Sequence, residues 1–314
     1  MEENKRLTNI LLIIIILLVL GGCILAYFYF TKDKTKPIIN PEEKKTIQSQ
    51  EIVFSEENYP KIEAITATLP LAEAFKANFT GTDVKDIEVT NSKASNAYAN
   101  LINGDTDLIL AKYPSDDEKK LAQEKDVKLE IVPIVKEAFV FFTNKDNPVD
   151  NLTLEQVQDI YSGRIKNWKS VGGENKNIVA YQKPENSLSQ SGMQSLVMKS
   201  RKIIDPVTET IKQNRGDIVN IISDYNNEKN AIGYSYYYYA TTMYSSNTSK
   251  LLSIDGNAPT YDNIQTGIYD IQTTYYAVIR NDEPKDSNTR KLLDLMKSER
   301  GQNVVKEAGY VQNY

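Results

Sequence analysis

The chain has 314 residues and a formal net charge of −5, from 37 Lys and Arg against 42 Asp and Glu. That balance argues against nucleic-acid binding, because phosphate-backbone affinity rests on Lys and Arg patches. Histidine is absent and Cys23 is the single cysteine, which excludes Ser-His-Asp and Cys-His catalysis, His-ligated metals, thiolate clusters and an intrachain disulfide.

Residues 1–9 are a short stub that carries Lys5 and Arg6. Ile10–Phe30 is almost wholly apolar and uncharged, and as a helix it spans about 32 Å at ~1.5 Å per residue, close to the hydrocarbon thickness of a bilayer. The positive charges before it predict a cytoplasmic N-terminus and an extracytoplasmic remainder. Span length favours an uncleaved, single-pass signal anchor. The competing reading takes Leu20-Gly21-Gly22-Cys23 as a lipobox, with Cys23 lipidated after cleavage of a signal peptide. The polar residues 31–57, with Pro37 and Pro41, read as a flexible tether.

From about residue 60 onward, short apolar runs alternate with helical periodicity. Ile62–Ile65 is predicted as a strand, followed by a helix with Pro70 in its first turn and Leu71, Ala74, Phe75 and Phe79 on one face. Ile87–Thr90 reads as a strand, and Ser95 as the N-cap of a helix that Gly104 stops. Asp107–Ala111 reads as a buried strand, and Ser115 with Glu118 as a capping box. Lys128–Val135 and Ala138–Phe142 are predicted as two strands. Thr153 with Gln156 starts a helix that ends near Tyr161. Ile178–Tyr181 is a strand, Ser189 to about Met198 a helix, and Ala231–Ser235, Leu251–Ile254 and Tyr275–Ile279 are later strands. Helices over Asn288–Lys297 and Gly301–Glu307 close the chain. This alternation predicts an α/β fold with a mainly parallel sheet.

In open α/β sheets a ligand sits beyond the carboxyl ends of the strands, against helix N-termini whose unpaired N–H groups suit an anion. Three strand-to-helix junctions are rich in hydroxyls and amides: 65–70 around Thr66-Ala67-Thr68, 91–95 ending at Ser95, and 185–191 with Ser187, Ser189 and Gln190. Each could be plain capping. Three in one chain also fit a shared anion site. None of the junctions carries a nucleophile paired with a base, so a non-enzymatic binding role is expected.

The stretch Asn147-Pro148-Val149-Asp150-Asn151-Leu152-Thr153, continuing through Ile160-Tyr161-Ser162-Gly163 to Trp168 and Gly172-Gly173, closely resembles the phosphate-binding subunits of bacterial phosphate ABC importers. Ala231-Ile232-Gly233-Tyr234-Ser235, Leu252–Thr260 and the ending Gly301-Gln302 … Ala308-Gly309-Tyr310 resemble the same family. The resemblance covers about residues 60–314. It implies a two-lobed periplasmic-binding-protein fold of the second type, with the ligand in the cleft between lobes. The lobes are expected over 58–137 plus 240–314, and over 138–239. It implies extracytoplasmic capture of inorganic phosphate or a related small anion by a monomer that serves an ABC permease, with no cofactor and no metal. A non-transporting surface sensor or scaffold with a degenerate anion site is the alternative. Carried over by residue, the family's phosphate loops fall on Thr66, Ala67 and Thr68, on Ser95, and on Ser187, Ser189 and Gln190. Two positions depart from the family pattern. Gln190 stands where the family has an arginine, and Lys112 aligns with the aspartate that accepts a proton from bound phosphate. Gln cannot replace a bidentate guanidinium, whereas an inward-facing Lys112 would return positive charge from the opposite wall.

Overall fold

The computed structural model describes residues 53–185, 187–205, 229–243, 245 and 247–314. The apolar segment Ile10–Phe30 with Cys23, and the polar stretch up to residue 52, lie outside the described residues. Among the described residues no helix is long and apolar enough to cross a membrane.

Strand β1 (Ile62–Ile65) is buried throughout. It runs into helix α1 (Leu69–Thr80), where Pro70 opens the first turn, Leu71, Phe75 and Phe79 are buried, and Gly81 ends the helix at φ 74°. Ala72 rather than Ala74 completes the buried face. A 3-10 turn over Val84–Asp86, capped by the Asp83 side chain on the Lys85 N–H, delays the next strand. β2 therefore covers Thr90–Ser92 instead of the expected Ile87–Thr90. Helix α2 (Ala94–Asn103) ends at Gly104 as expected, but Lys93 is its N-cap and makes no side-chain cap bond, so Ser95 is the second helical residue. Next come β3 (Leu108–Ala111) and α3 (Asp116–Glu124), with both halves of the Ser115–Glu118 capping box formed.

β4 (Leu129–Asn144) is one continuous strand of 16 residues where the sequence suggests two. The polar pair Lys136-Glu137 breaks the apolar pattern without breaking the strand. Lys136 Nζ donates to the Gln265 carbonyl at 2.6 Å, and Glu137 accepts the N–H groups of Ala138 at 2.9 Å and Tyr238 at 3.3 Å. The second half of the chain adds β5 (Asn151–Leu152) and α4 (Leu154–Tyr161), whose Thr153–Gln156 capping box is complete. β6 (Val179–Ala180) leads to α5 (Leu188–Gly192), capped by Ser187 and continued by a π-helical turn to Met198. Then follow β7 (Ala231–Tyr236), β8 (Ser249–Leu251), β9 (Ser253–Ile254), α6 (Tyr261–Thr266) and β10 (Gln272–Arg280). The chain closes with α7 (Asn288–Lys297), α8 (Glu299–Glu307) and β11 (Val311–Gln312).

The main sheet has the order β2-β1-β3-β10-β4-β7-β6, with β11 and β8 also on β4. It is mixed rather than mainly parallel. β1 is parallel to β2 and β3, and β6 to β7, but β10 and β4 are antiparallel to their partners. β4 serves both halves: Leu129 to Ala138 pair with β10, and Phe139 to Thr143 pair with β7. Two cores lie on either side of that hand-over. The first gathers Leu71, Phe75, Tyr98, Leu110, Val278 and Leu292. The second gathers Phe139, Phe141, Tyr161, Trp168, Met193 and Tyr234. Phe54 belongs to the first core, so part of the expected tether is folded. Leu252, Ile254, Ile264, Tyr269, Ile271 and Val311 pack in the second core, although residues 240–314 were expected with the first. Two of the crossings between cores, on β4 and just before β10, run side by side, and the Phe139 N–H donates to the Ile271 carbonyl at 2.8 Å.

Candidate binding site

The three parallel strands β2, β1 and β3 end together, with Ile65 in register with Ser92 and Ala64 with Leu110. Their carboxyl ends therefore bring the first two hydroxyl-rich junctions and Lys112 to one edge. The Thr66 hydroxyl meets the Asn91 side chain at 3.3 Å, joining the first junction to the second. Tyr98 Oη donates to the Lys112 carbonyl at 2.7 Å, which ties α2 to the residue that follows β3.

Lys112 points inward. Its Nζ donates to Tyr236 Oη at 3.1 Å and sits 5.2 Å from the centre of that ring. Tyr236 ends β7 in the second core and lies directly on α5, because a Cβ at Gly192 would fall 2.5 Å from Tyr236 Oη. Lys112 thus reaches from the first core to the helix whose N-terminus forms the third junction. Leu188, the first residue of α5, packs against both cores. All three junctions border one seam.

The side chains at these junctions divide by what they touch. Thr68 is fully buried, and its hydroxyl donates to the carbonyls of Leu110 at 2.6 Å and Ile65 at 3.2 Å. Ala67 is buried, and its carbonyl accepts from Tyr310 Oη at 2.8 Å. Tyr239 Oη donates to the Thr66 carbonyl at 3.3 Å. The carbonyls of the first junction are thereby drawn toward the Tyr239 and Tyr310 phenols. Ser187 Oγ accepts the Gln190 N–H at 3.1 Å as a helix cap. The Gln190 side chain turns into the second core, bonded to Tyr234 Oη, Gln182 and the Lys183 N–H. Ser95 is exposed and Ser189 half-buried, each at the second position of its helix.

Two buried charged residues near these junctions are not singled out by the sequence: Glu137 and Lys183. Glu137 is only 2% exposed and lies on β4 beside the crossing point. Burial pushes its carboxyl up to about 8, opposed by backbone N–H groups and by Lys112. Burial pulls the Lys112 ammonium down to about 8, opposed by Glu137. A charged residue inside an otherwise apolar run was the available signal. Lys183 is 8% exposed and is the one cation between Tyr181 and Ser191. Chemically the seam offers helix N–H groups, hydroxyls and the Lys112 ammonium, which suits a small oxyanion. Among the described residues no group of three or more His, Cys, Asp or Glu could hold a metal ion.

The sequence pattern of the PBP superfamily domain matches residues 64–299. The phosphate-binding protein PstS of Staphylococcus saprophyticus is 29% identical over 258 residues, covering 77% of this chain and 76% of that protein. PstS of Staphylococcus epidermidis is 27% identical over 265 residues, covering 80% and 78%. Among solved structures, one from Clostridium perfringens, described as a phosphate ABC transporter substrate-binding protein with bound phosphate, aligns with a TM-score of 0.62 at 25% identity, over 81% of this chain and 99% of that one. An ABC-type phosphate transport receptor from Vibrio cholerae shares the fold, with a TM-score of 0.61 at 20% identity over 80% and 98%.

Proposed function

This chain belongs to the PBP superfamily, and we propose that it is an extracytoplasmic solute-binding protein that captures inorganic phosphate or a similar small oxyanion for an ABC importer. The observation that carries this reading is the reach of Lys112 from the end of β3 to Tyr236 at the end of β7, against which α5 packs, at a seam where three donor-rich junctions meet. A cation between helix N-termini, with low-dielectric walls on either side, favours a desolvated anion. The relatives PstS and the phosphate-bound Clostridium perfringens protein point the same way.

In this reading the ligand lies between a lobe built on the first core and a lobe built on the second, with residues 252–271 in the second. The donors are Thr66, Ser95 and Ser189, N–H groups of the loop over Thr66-Ala67-Thr68 and of the α5 start, and Lys112, with Lys183 supplying the positive charge that Gln190 lacks. Thr68, Ser187 and Gln190 hold the loops in shape. Binding breaks no bond, and its work is a hinge closure driven by contacts made in the closed state. Ile10–Phe30 anchors the protein as a single span, or Cys23 carries a lipid; the intact mass of the mature protein separates the two. The protein acts as a monomer beside its permease.

Calorimetric titration of the full chain in detergent with inorganic phosphate tests the reading. Saturable heat at micromolar phosphate is expected, and no heat even at millimolar phosphate would sink it.

A further inference from the structure

Lys112 and Glu137 share a buried cluster in which, among the described residues, every other titratable group that Glu137 acts on is a phenol. Tyr236 comes from β7, Tyr237 and Tyr239 from the segment after it, Tyr275 from β10 and Tyr310 from the chain end. Glu137 acts electrostatically on each of these except Tyr239, which in turn acts on Tyr236, Tyr275 and Tyr310. The other ionisable side chain next to Glu137 on β4, Lys136, bonds instead to the Gln265 carbonyl. Glu137 is held in place by backbone N–H groups from two directions, its own strand at Ala138 and the post-β7 segment at Tyr237 and Tyr238. Among the described residues it is the only carboxyl that acts on Lys112, and no ion pair within 4.0 Å joins the two. Lys112 Nζ instead uses a neutral phenol oxygen as its partner.

A second, independent observation marks the cluster as made for a further group. Tyr275 is 1% exposed, and its hydroxyl has no hydrogen-bond partner among the described residues. Buried hydroxyls nearly always have a partner. This one sits where β10 carries a register shift between Tyr275 and Tyr276, beside the end of β3, since Tyr276 pairs with Ala111. A missing acceptor, an ammonium held only by a phenol and a buried carboxyl therefore share one end of the seam.

On the reading that the seam takes an oxyanion, we propose that Lys112 and Glu137 are a specificity-setting pair: Lys112 meets a doubly negative oxyanion and takes up a proton from solvent as it does so, and Glu137 is the positioning residue that keeps Lys112 able to take it. The proton goes onto Lys112 Nζ, and no bond of the anion changes. A dianion placed against Nζ favours the charged amine, so the anion's charge and the proton are bound together. Burial holding the free ammonium near neutral pH, at about 8, is consistent with such linkage. The pair selects doubly charged oxyanions over singly charged ones because a single charge recovers less of the desolvation of Lys112.

The test is calorimetry of the full chain with inorganic phosphate just above the Lys112 value of about 8, in two buffers of different ionisation heat. The expected result is a buffer-dependent heat equivalent to uptake of up to one proton per anion. Lys112→Met should abolish that uptake and weaken binding on the order of a hundredfold, as when one member of a buried charge contact is removed. Glu137→Gln should keep binding at lower pH but shift the alkaline fall in affinity to lower pH, a readout that a purely structural role would leave in place. Phosphate binding with no proton uptake in the unaltered chain overturns the pair while leaving the anion site standing. Absence of any phosphate heat overturns the anion site and the pair with it. Glu137 is also held at about 8, so uptake that persists in Glu137→Gln assigns the proton to Lys112 even if Lys112→Met fails to fold, and uptake lost in Glu137→Gln at a pH below its alkaline fall overturns that assignment.

Discussion

The Thr68 hydroxyl shows how a residue that reads as a ligand donor can serve the scaffold. It is fully buried and donates to the Leu110 carbonyl at 2.6 Å, across the β1–β3 pairing. A hydroxyl before a helix has the same local signature whether it faces a ligand or a carbonyl on the next strand, because the deciding neighbour is 42 residues away. Thr68→Val keeps the shape and leaves that carbonyl without its donor. It should lower stability by about 1–3 kcal/mol, the range for an unsatisfied buried polar group, read as a lower urea midpoint at unchanged slope. An unchanged midpoint would mean that the hydroxyl is free to serve the ligand. Lys112 lies at the other extreme. Its inward direction could not be read from sequence, since a lysine after a strand is usually solvated. Tyr236, which receives it, is 124 residues away.

At the scale of elements, what was legible depended on range. Capping boxes at Ser115–Glu118 and Thr153–Gln156 are set by residues three apart and form as read. Strand β1 and helix α7 match their expected bounds, because β1 is a short run buried throughout and the buried positions of α7 repeat with the helical period. β4 does not, because Lys136 and Glu137 find partners from α6 and from the segment after β7, and no local pattern reports those. The sheet's mixed character was likewise hidden: β10 returns from the second core to lie antiparallel between β3 and β4. Helix α5 carries a prediction of its own. Gly192 is buried at its end, and a Cβ there would come within 2.5 Å of Tyr236 Oη and 2.9 Å of the Phe139 ring. Both rings are fully buried, so neither can swing into solvent. Gly192→Ala should cost about 1–3 kcal/mol through overpacking, measured by urea unfolding. It should also weaken phosphate binding, by displacing the hydroxyl that receives Lys112. Full phosphate affinity in a destabilised Gly192→Ala protein would uncouple α5 from the site.

For the molecule as a whole, the decisive feature is that the two cores are joined by few, adjacent segments. β4 passes from one to the other between Val135 and Ala138, and the return begins at Ile271, whose carbonyl accepts the Phe139 N–H at 2.8 Å. Tyr238 enters the first core just two residues after Tyr236 leaves the second, stacked 4.0 Å from Tyr310. Two backbones bonded side by side can twist together with small φ/ψ changes, which is the geometry of a hinge. A ligand contacting both sides of the seam lowers the free energy of the closed arrangement only, and so shifts the population toward it. Small-angle scattering of the full chain in detergent should therefore show a smaller radius of gyration at saturating phosphate than without it, once the micelle contribution is matched out. Trp168 supplies an internal control. It is 1% exposed within the second core and its indole N–H donates to the Asn230 carbonyl at 2.8 Å, so its emission should stay constant through closure and shift only on unfolding. Phosphate heat with unchanged scattering would mean that the anion is held without hinge motion. A Trp168 shift that tracks phosphate would mean that the second core itself rearranges.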